Sequence, residues 1–219
     1  MRVVSGEAKG RRLRGTITPG ARPTTGRVRA AIFNILNPAV YQGGRVLDLY
    51  AGSGSLGIEA LSRGAAWADF VELSRRQCAV IEANLEATGF SQQARVHCAD
   101  AVQSLTSLSG PYQLVLMDPP YRLQELGAVL ERLALAPGLV ADGAMVVVGH
   151  SRHLSLLDKY GPLRQASHRR YGDNVVDFFH QQARSEPFDK VRTGSVEESQ
   201  SHETDPSRGL SCLQPKDLG

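Results

Sequence analysis

The 219-residue chain reads as an α/β protein. We expect a Rossmann-like, seven-stranded, mostly parallel sheet with helices on both faces, a carboxyl-terminal antiparallel hairpin and a small basic extension in front. Three observations predict it. Between residues 45 and 149, short apolar runs alternate with helical segments over short connections, the pattern of a parallel sheet covered on both faces. Gly52-Ser53-Gly54-Ser55-Leu56-Gly57 joins a strand to a helix, as a crossover in such a sheet does. Segments 163–168 and 174–179 have no helix between them, so they pair as an antiparallel hairpin.

Each element has its own local reason. Residues 1–29 alternate short apolar pieces with Gly6, Gly10 and Gly15, the spacing of a small hairpin-like extension. Pro23-Thr24-Thr25 precedes Val28, Ala31, Ile32, Ile35 and Leu36, whose three- and four-residue intervals mark an amphipathic helix capped by Thr25 and ended by Pro38. Residues 46–50 form the first strand and 56–62 its helix; 67–72 form the second strand. Ser74 caps a helix with Cys78, Ile81 and Leu85 on one side, and Gly89 ends it. Residues 94–98, 112–117 and 144–149 read as further strands, with a helix over 123–135. Past residue 184 Ser, Glu, Pro and Gly dominate, so 184–219 reads as a disordered tail without a catalytic part. The expected organisation is 1–40 as a basic extension and helix, 41–183 as the sheet domain, and 184–219 as the tail.

Composition narrows the function. No apolar stretch reaches the length of a membrane span, and the first residues lack a signal-peptide core, so the expected compartment is the cytoplasm. Cys78, Cys98 and Cys212 include no CxxC pair, which argues against a zinc site or a disulfide framework; Cys78 and Cys98 read as small hydrophobes. His150 and His153 stand three apart without a third ligand, so no metal is expected. The net charge of +3 conceals a polarised chain. Arg2, Lys9, Arg11, Arg12, Arg14, Arg22, Arg27 and Arg29 face only Glu7 in the first 29 residues. A mostly arginine arm suits forked contacts to phosphate, although such a run is often only a solvated surface.

The glycine loop by itself suits several nucleotide cofactors. Its acids discriminate. Asp48 lies within a strand, six positions before Gly54, where it would repel a pyrophosphate and welcome a cation. Glu72 ends the next strand, placed for a ribose diol, and Asp100 ends the third, suited to an adenine amino group. Tyr50, Ala51, Gly52, Ser53 and Gly54 form the loop, while Leu73 and Ala101 flank the two outer acids. This set fits S-adenosylmethionine better than a nicotinamide dinucleotide. Structural duties compete with it: Asp48 can hold loop amides, Asp100 can cap a helix, and Glu72 can be a surface strand end.

Asp118-Pro119-Pro120-Tyr121 follows the apolar run 114–117. Two prolines cannot continue a ladder, so the backbone leaves the sheet rigidly at Asp118. A carboxylate, fixed carbonyls and an aromatic ring then stand at a strand's carboxyl end, where α/β sheets bind ligands. They suit a planar base with an exocyclic amino group. The plain alternative is a proline turn that ends a strand.

Together, Asp48-Leu-Tyr-Ala-Gly-Ser-Gly54, Glu72, Asp100 and Asp118-Pro-Pro-Tyr121 resemble the Rossmann-fold, class I amino-methyltransferases. Arg2-Val-Val-Ser-Gly6, Lys9-Gly-Arg-Arg-Leu13, Arg22-Pro-Thr-Thr25, Arg27-Val-Arg29, Ile32-Phe-Asn-Ile-Leu36 and Tyr171-Gly-Asp173 narrow the resemblance to the RsmD family, over residues 2–180. The resemblance implies methyl transfer from S-adenosylmethionine to the N2 amino group of one guanine in bacterial 16S rRNA. The partner is then 16S rRNA or the small ribosomal subunit, without a membrane or a metal, and we expect a monomer. Asp118, Pro119, Pro120 and Tyr121 would be catalytic, with Asp118 also bordering the cofactor. Arg11, Arg12, Arg14, Arg22, Thr24, Thr25 and Arg27 would meet RNA. Gly26, Ala30 and Gly149 depart from the family pattern, standing where acids are common. Rival readings are an amino-methyltransferase acting on another nucleic acid (adenine N6 of DNA or RNA) or on protein, a nicotinamide dehydrogenase, and a non-catalytic RNA-binding assembly factor. A DNA enzyme usually carries a sizeable target-recognition region, and no long insertion exists here.

Overall fold

In the computed structural model, which describes residues 1–15, 25–120 and 125–183, the apolar runs assemble into one sheet of eight strands. They are β1 (Arg45–Leu49), β2 (Trp67–Glu72), β3 (Ala94–Cys98), β4 (Tyr112–Met117), β5 (Val140–Ser151), β6 (Lys159–Tyr160), β7 (Leu163–Tyr171) and β8 (Asn174–Gln181). Their order is β3-β2-β1-β4-β5-β8-β7-β6. The first five run parallel, and β8, β7 and β6 close the edge in alternating directions. The strand order reverses between β1 and β4, the switch point at which open α/β sheets bind ligands.

The helices are α1 (Gly26–Ile35), α2 (Ser55–Ser62), α3 (Arg75–Thr88), α4 (Ala101–Ser104) and α5 (Leu126–Leu135). Two cores form, one on each face. Val28, Ile32, Leu56, Leu61 and Ile81 belong to the first and Ala101, Leu126, Leu130 and Leu133 to the second. Thr25 caps α1 as expected, its Oγ1 accepting from the Val28 amide at 3.3 Å. Gly89 ends α3 with φ +85°. Ser74 occupies the N-cap position of α3, but its side chain makes no capping bond; its amide donates to Glu72 Oε1 instead.

Three differences from the sequence reading concern strands, the first being β5, which spans twelve residues where the sequence predicts 144–149. The eighth strand, β6, is only two residues long, too short to leave an alternation in the sequence. The hairpin is also longer than expected. Arg169 and Arg170 pair with Val176 and Val175, leaving a two-residue turn, Gly172-Asp173. These arginines are exposed, so nothing apolar in them announced a strand. The segment 184–219 lies outside the described residues.

The amino-terminal segment shares the first core through Val3, Ala8 and Leu13. It folds back on itself, with the Val3 amide donating to Arg11 O and the Gly10 amide to Val3 O. Gly6, at φ +82°, lies so close to the end of α2 that a Cβ there would overlap the Ser62 carbonyl. Glu59, wholly buried on α2, draws the segment down. It accepts from the Val4 and Ser5 amides at 2.8 and 3.0 Å and from Arg63 Nε at 2.8 Å, and pairs with buried Arg29 at 3.4 Å. Arg29 therefore neutralises an internal acid and adds nothing to the outward charge of the arm.

Candidate active site at the carboxyl edge of the sheet

The glycine loop makes a tight reversal after β1. The Ala51 amide donates to Val71 O and the Gly54 amide to Ala51 O. Gly54 has φ +73°, and a Cβ on it would press Ile81 at 3.0 Å. Tyr50 is the one non-glycine residue with positive φ among those described, at 59°. Such a conformation costs of order 1–3 kcal/mol and persists where the surroundings impose it, often at functional sites.

The three acids stand at successive strand ends as the sequence predicts, and each is oriented by backbone amides. Asp48 is almost wholly buried and accepts the Gly57 amide of α2 at 2.8 Å. Burial pushes its carboxyl well above the ordinary range, against the pull of that bond, and the charges of Asp118 and Glu72 add to the rise. Glu72 bridges two loops, accepting from Gly52 at 3.0 Å and from Ser74 at 2.9 Å. Asp100 caps α4, its Oδ1 accepting from Val102 and Gln103, both at 2.9 Å. Its Oδ2 makes no hydrogen bond to the described residues. Tyr50 comes close enough to Asp100 that its hydroxyl, already disfavoured from ionising by burial, is pushed up to about 12. Leu73 is 70% exposed beside Glu72, while Ala101 is buried. The structural duties weighed from sequence are thus real for Asp48 and Asp100. They hold the carboxylates in place without consuming them.

Asp118 stands just past β4, on the far side of the switch point, and β5 runs beside it. A Cβ on Gly149 would come within 2.7 Å of Asp118 Oδ1, so the bare glycine gives the carboxylate its position. Asp118, Gly149, His150 and Asn174 share a small cavity with Val28 and Ile32 of α1. Its volume, about 20 Å³, holds about one water and no purine. Tyr121, Arg22 and Thr24 lie outside the described residues.

Several contributing residues gave no signal in the sequence. Asn84, buried on α3, clamps the amino-terminal arm to the glycine loop. Its Oδ1 accepts from the Arg14 amide at 2.7 Å, and its Nδ2 donates to Arg14 O and Ser53 O at 3.1 and 2.9 Å. His150 joins no metal pair. Its Nε2 lies 2.9 Å from buried Asp177, its Nδ1 lies 2.9 Å from Ser151 O, and His168 takes the other Asp177 oxygen at 2.6 Å. Among the described residues no three His, Cys, Asp or Glu side chains converge as metal ligands. Cys78 and Cys98, twenty residues apart in sequence, meet with their sulfurs 2.8 Å apart. Burial pushes the Cys78 thiol up to about 12, keeping it protonated and inert, whereas Cys98, at the end of β3, is exposed.

The arm presents Arg11, Arg12, Arg14 and Arg27 on the surface. Arg11 also donates to Ala87 O at 3.0 Å, and none of the four meets a carboxylate among the described residues. The Thr25 hydroxyl is committed to its cap.

Comparison with known proteins finds relatives over most of the chain. The family model described as Conserved hypothetical protein 95 matches residues 1–180. YlbH of Bacillus subtilis (strain 168) is 37% identical over 175 residues, spanning 78% of this chain and 94% of its own. Ribosomal RNA small subunit methyltransferase D of Escherichia coli (strain K12) is 40% identical over 151 residues, spanning 68% of this chain and 73% of its own. The solved structure of Escherichia coli yhhF superposes with a TM-score of 0.71 at 33% identity, covering 84% of this chain and 99% of that one.

Proposed function

The chain belongs to the RsmD family of methyltransferases, and from that membership we propose that it methylates the N2 amino group of one guanine in bacterial 16S rRNA. The observation that carries this reading is the division of the switch point. Three amide-oriented acids stand on one side of it and Asp118-Pro119-Pro120 on the other, so a donor and a base can be held face to face.

S-adenosylmethionine, when bound, supplies an electrophilic methyl carbon on a sulfonium centre. The donor set fits it: three carboxylates around one glycine loop repel phosphate and favour a cationic nucleoside. Asp48, Tyr50, Ala51, Gly52, Ser53, Gly54, Glu72, Leu73, Asp100 and Ala101 would hold it, with Asp118 at its border. Glu72 has the position for the ribose diol, and the Asp100 oxygen without a donor has the position for an adenine amino group.

Guanine N2 is a poor nucleophile because its lone pair is delocalised into the ring. Asp118 and the Pro119 carbonyl would accept hydrogen bonds from the amino group, favouring the pyramidal geometry that frees the lone pair. Asp118 is also the candidate acceptor for the departing proton. Tyr121 would stack on the base, a contact worth about 1–3 kcal/mol in single-stranded recognition. The target is therefore a flipped or unpaired base. Alignment of the reactants supplies most of the acceleration, and base assistance from Asp118 a factor on the order of 10²–10⁴. Asp118→Ala should lower the single-turnover rate by that factor, a far larger effect than on cofactor affinity. A fully active Asp118→Ala rejects the assignment.

The same acceptors suit adenine N6, so the choice of guanine comes from the family alone. We propose a monomer that works without a metal in the cytoplasm. Among the described residues no helix is long and apolar enough to cross a membrane.

A further inference from the structure

We infer that the RNA backbone runs over the carboxyl end of β5 and the β7–β8 turn, where Arg152, Arg169 and Arg170 form a phosphate-binding surface separate from the amino-terminal arm. This rests on the RNA reading above and extends it to the path of the substrate.

Charge along the carboxyl edge of the sheet changes sign between β4 and β5. On one side β1 to β4 lead into Asp48, Glu72, Asp100 and Asp118. On the other, β5 leads into Ser151, Arg152 and His153, and β7 ends in His168-Arg169-Arg170-Tyr171. Ser151 and Tyr171 both pair with Asn174, so the end of β5 and the hairpin turn lie at one level. The Arg152 amide donates to Asp173 O at 3.0 Å, which ties the segment after β5 to that turn. A polyanion is repelled from the acidic half, which the cofactor would occupy in any case. It is attracted to the basic half beside Asp118.

The hairpin arginines are available for such contacts. Arg169 and Arg170 are exposed, and each donates once to a backbone carbonyl, His168 O and Gly172 O respectively, both at 3.0 Å. A guanidinium has five N–H donors, so four remain on each. Neither meets a carboxylate among the described residues, because Asp173, the acid of the turn, pairs with Arg152 at 3.2 Å. The carbonyl bonds also restrain both forks before any ligand arrives, which reduces the entropy lost on binding. Their register opposite Val176 and Val175 sends them to opposite faces of the hairpin. A strand bent around its turn could then be gripped from both sides.

The test uses the full chain and unmodified 16S rRNA, with binding measured over a range of salt at neutral pH. The double variant Arg169→Gln/Arg170→Gln keeps hydrogen-bonding side chains and removes two charges. Two lost phosphate contacts should flatten the slope of log affinity against log salt by about 1.4–1.8. Binding at low salt should weaken about tenfold or more, with S-adenosylmethionine affinity unchanged. The Lys/Lys variant should restore most of the slope. An unchanged slope in Gln/Gln, or no recovery in Lys/Lys, overturns the inference. If Gln/Gln is unchanged while Arg11→Gln/Arg12→Gln/Arg14→Gln flattens the slope, this surface is wrong and the RNA reading stands. If the wild-type chain neither binds nor methylates RNA, that reading fails and takes this one with it.

Discussion

At the scale of single residues, Asp48 sets the electrostatics of the site. Burial raises its carboxyl, so the free protein holds a proton there over a range in which an exposed aspartate would not. A bound sulfonium and ammonium favour the ionised form, so cofactor binding should expel that proton and affinity should rise with pH. Calorimetry in two buffers of different ionisation enthalpy would show the release, and Asp48→Asn should abolish it and weaken binding. Buffer-independent heats would contradict the role. The stability consequence has the opposite sign. The folded state binds the proton more tightly than the unfolded one, so Asp48 lowers stability as pH rises between the two pKa values. Asp48→Asn should therefore gain in thermal midpoint relative to wild type as pH increases. Gly149 is the second residue to test. An added methyl would displace the Asp118 carboxylate, and a shift of about 1 Å in a reacting geometry can cost on the order of 10² in rate. Gly149→Ala should lose methyl transfer without losing the cofactor.

At the scale of elements, α2 and α3 hold the amino-terminal arm beside the glycine loop through buried polar groups. Asn84→Ala would leave the Arg14 amide and the Ser53 carbonyl without their partner, at about 1–3 kcal/mol of stability. It should also loosen the arm, which a larger loss in RNA affinity than in cofactor affinity would reveal. Equal losses would mean that Asn84 supports only the fold. Neither Asn84 nor Glu59 could be picked out from the sequence, because a polar residue on a helix reads as a solvent-facing one until its neighbours are known. The parallel strands were legible for the opposite reason. β4, buried on both faces, appears as an almost unbroken apolar run, and the expected limits of β2, β3 and β4 match the structure although β3, at the edge, is partly exposed. The edge hairpin was legible only in its apolar part, since Arg169 and Arg170 extend the strand by backbone pairing alone.

At the scale of the whole molecule, function follows from where the chain reverses its winding. Because β4 pairs with β1 rather than continuing outward from β3, the glycine loop and Asp118 become neighbours although some sixty-odd residues separate them. Residue types and spacing were enough to anticipate the three acids at one edge. The pairings that complete the site, such as His150 with Asp177 or Gly149 with Asp118, depend on which strands lie side by side. The most direct test of the central claim is radiolabelled methyl transfer to unmodified small subunits and to protein-free 16S rRNA, with the product nucleoside identified by mass spectrometry. The account predicts N2-methylguanosine at a single position in at least one of these substrates. N6-methyladenosine, or no transfer to either, would contradict it.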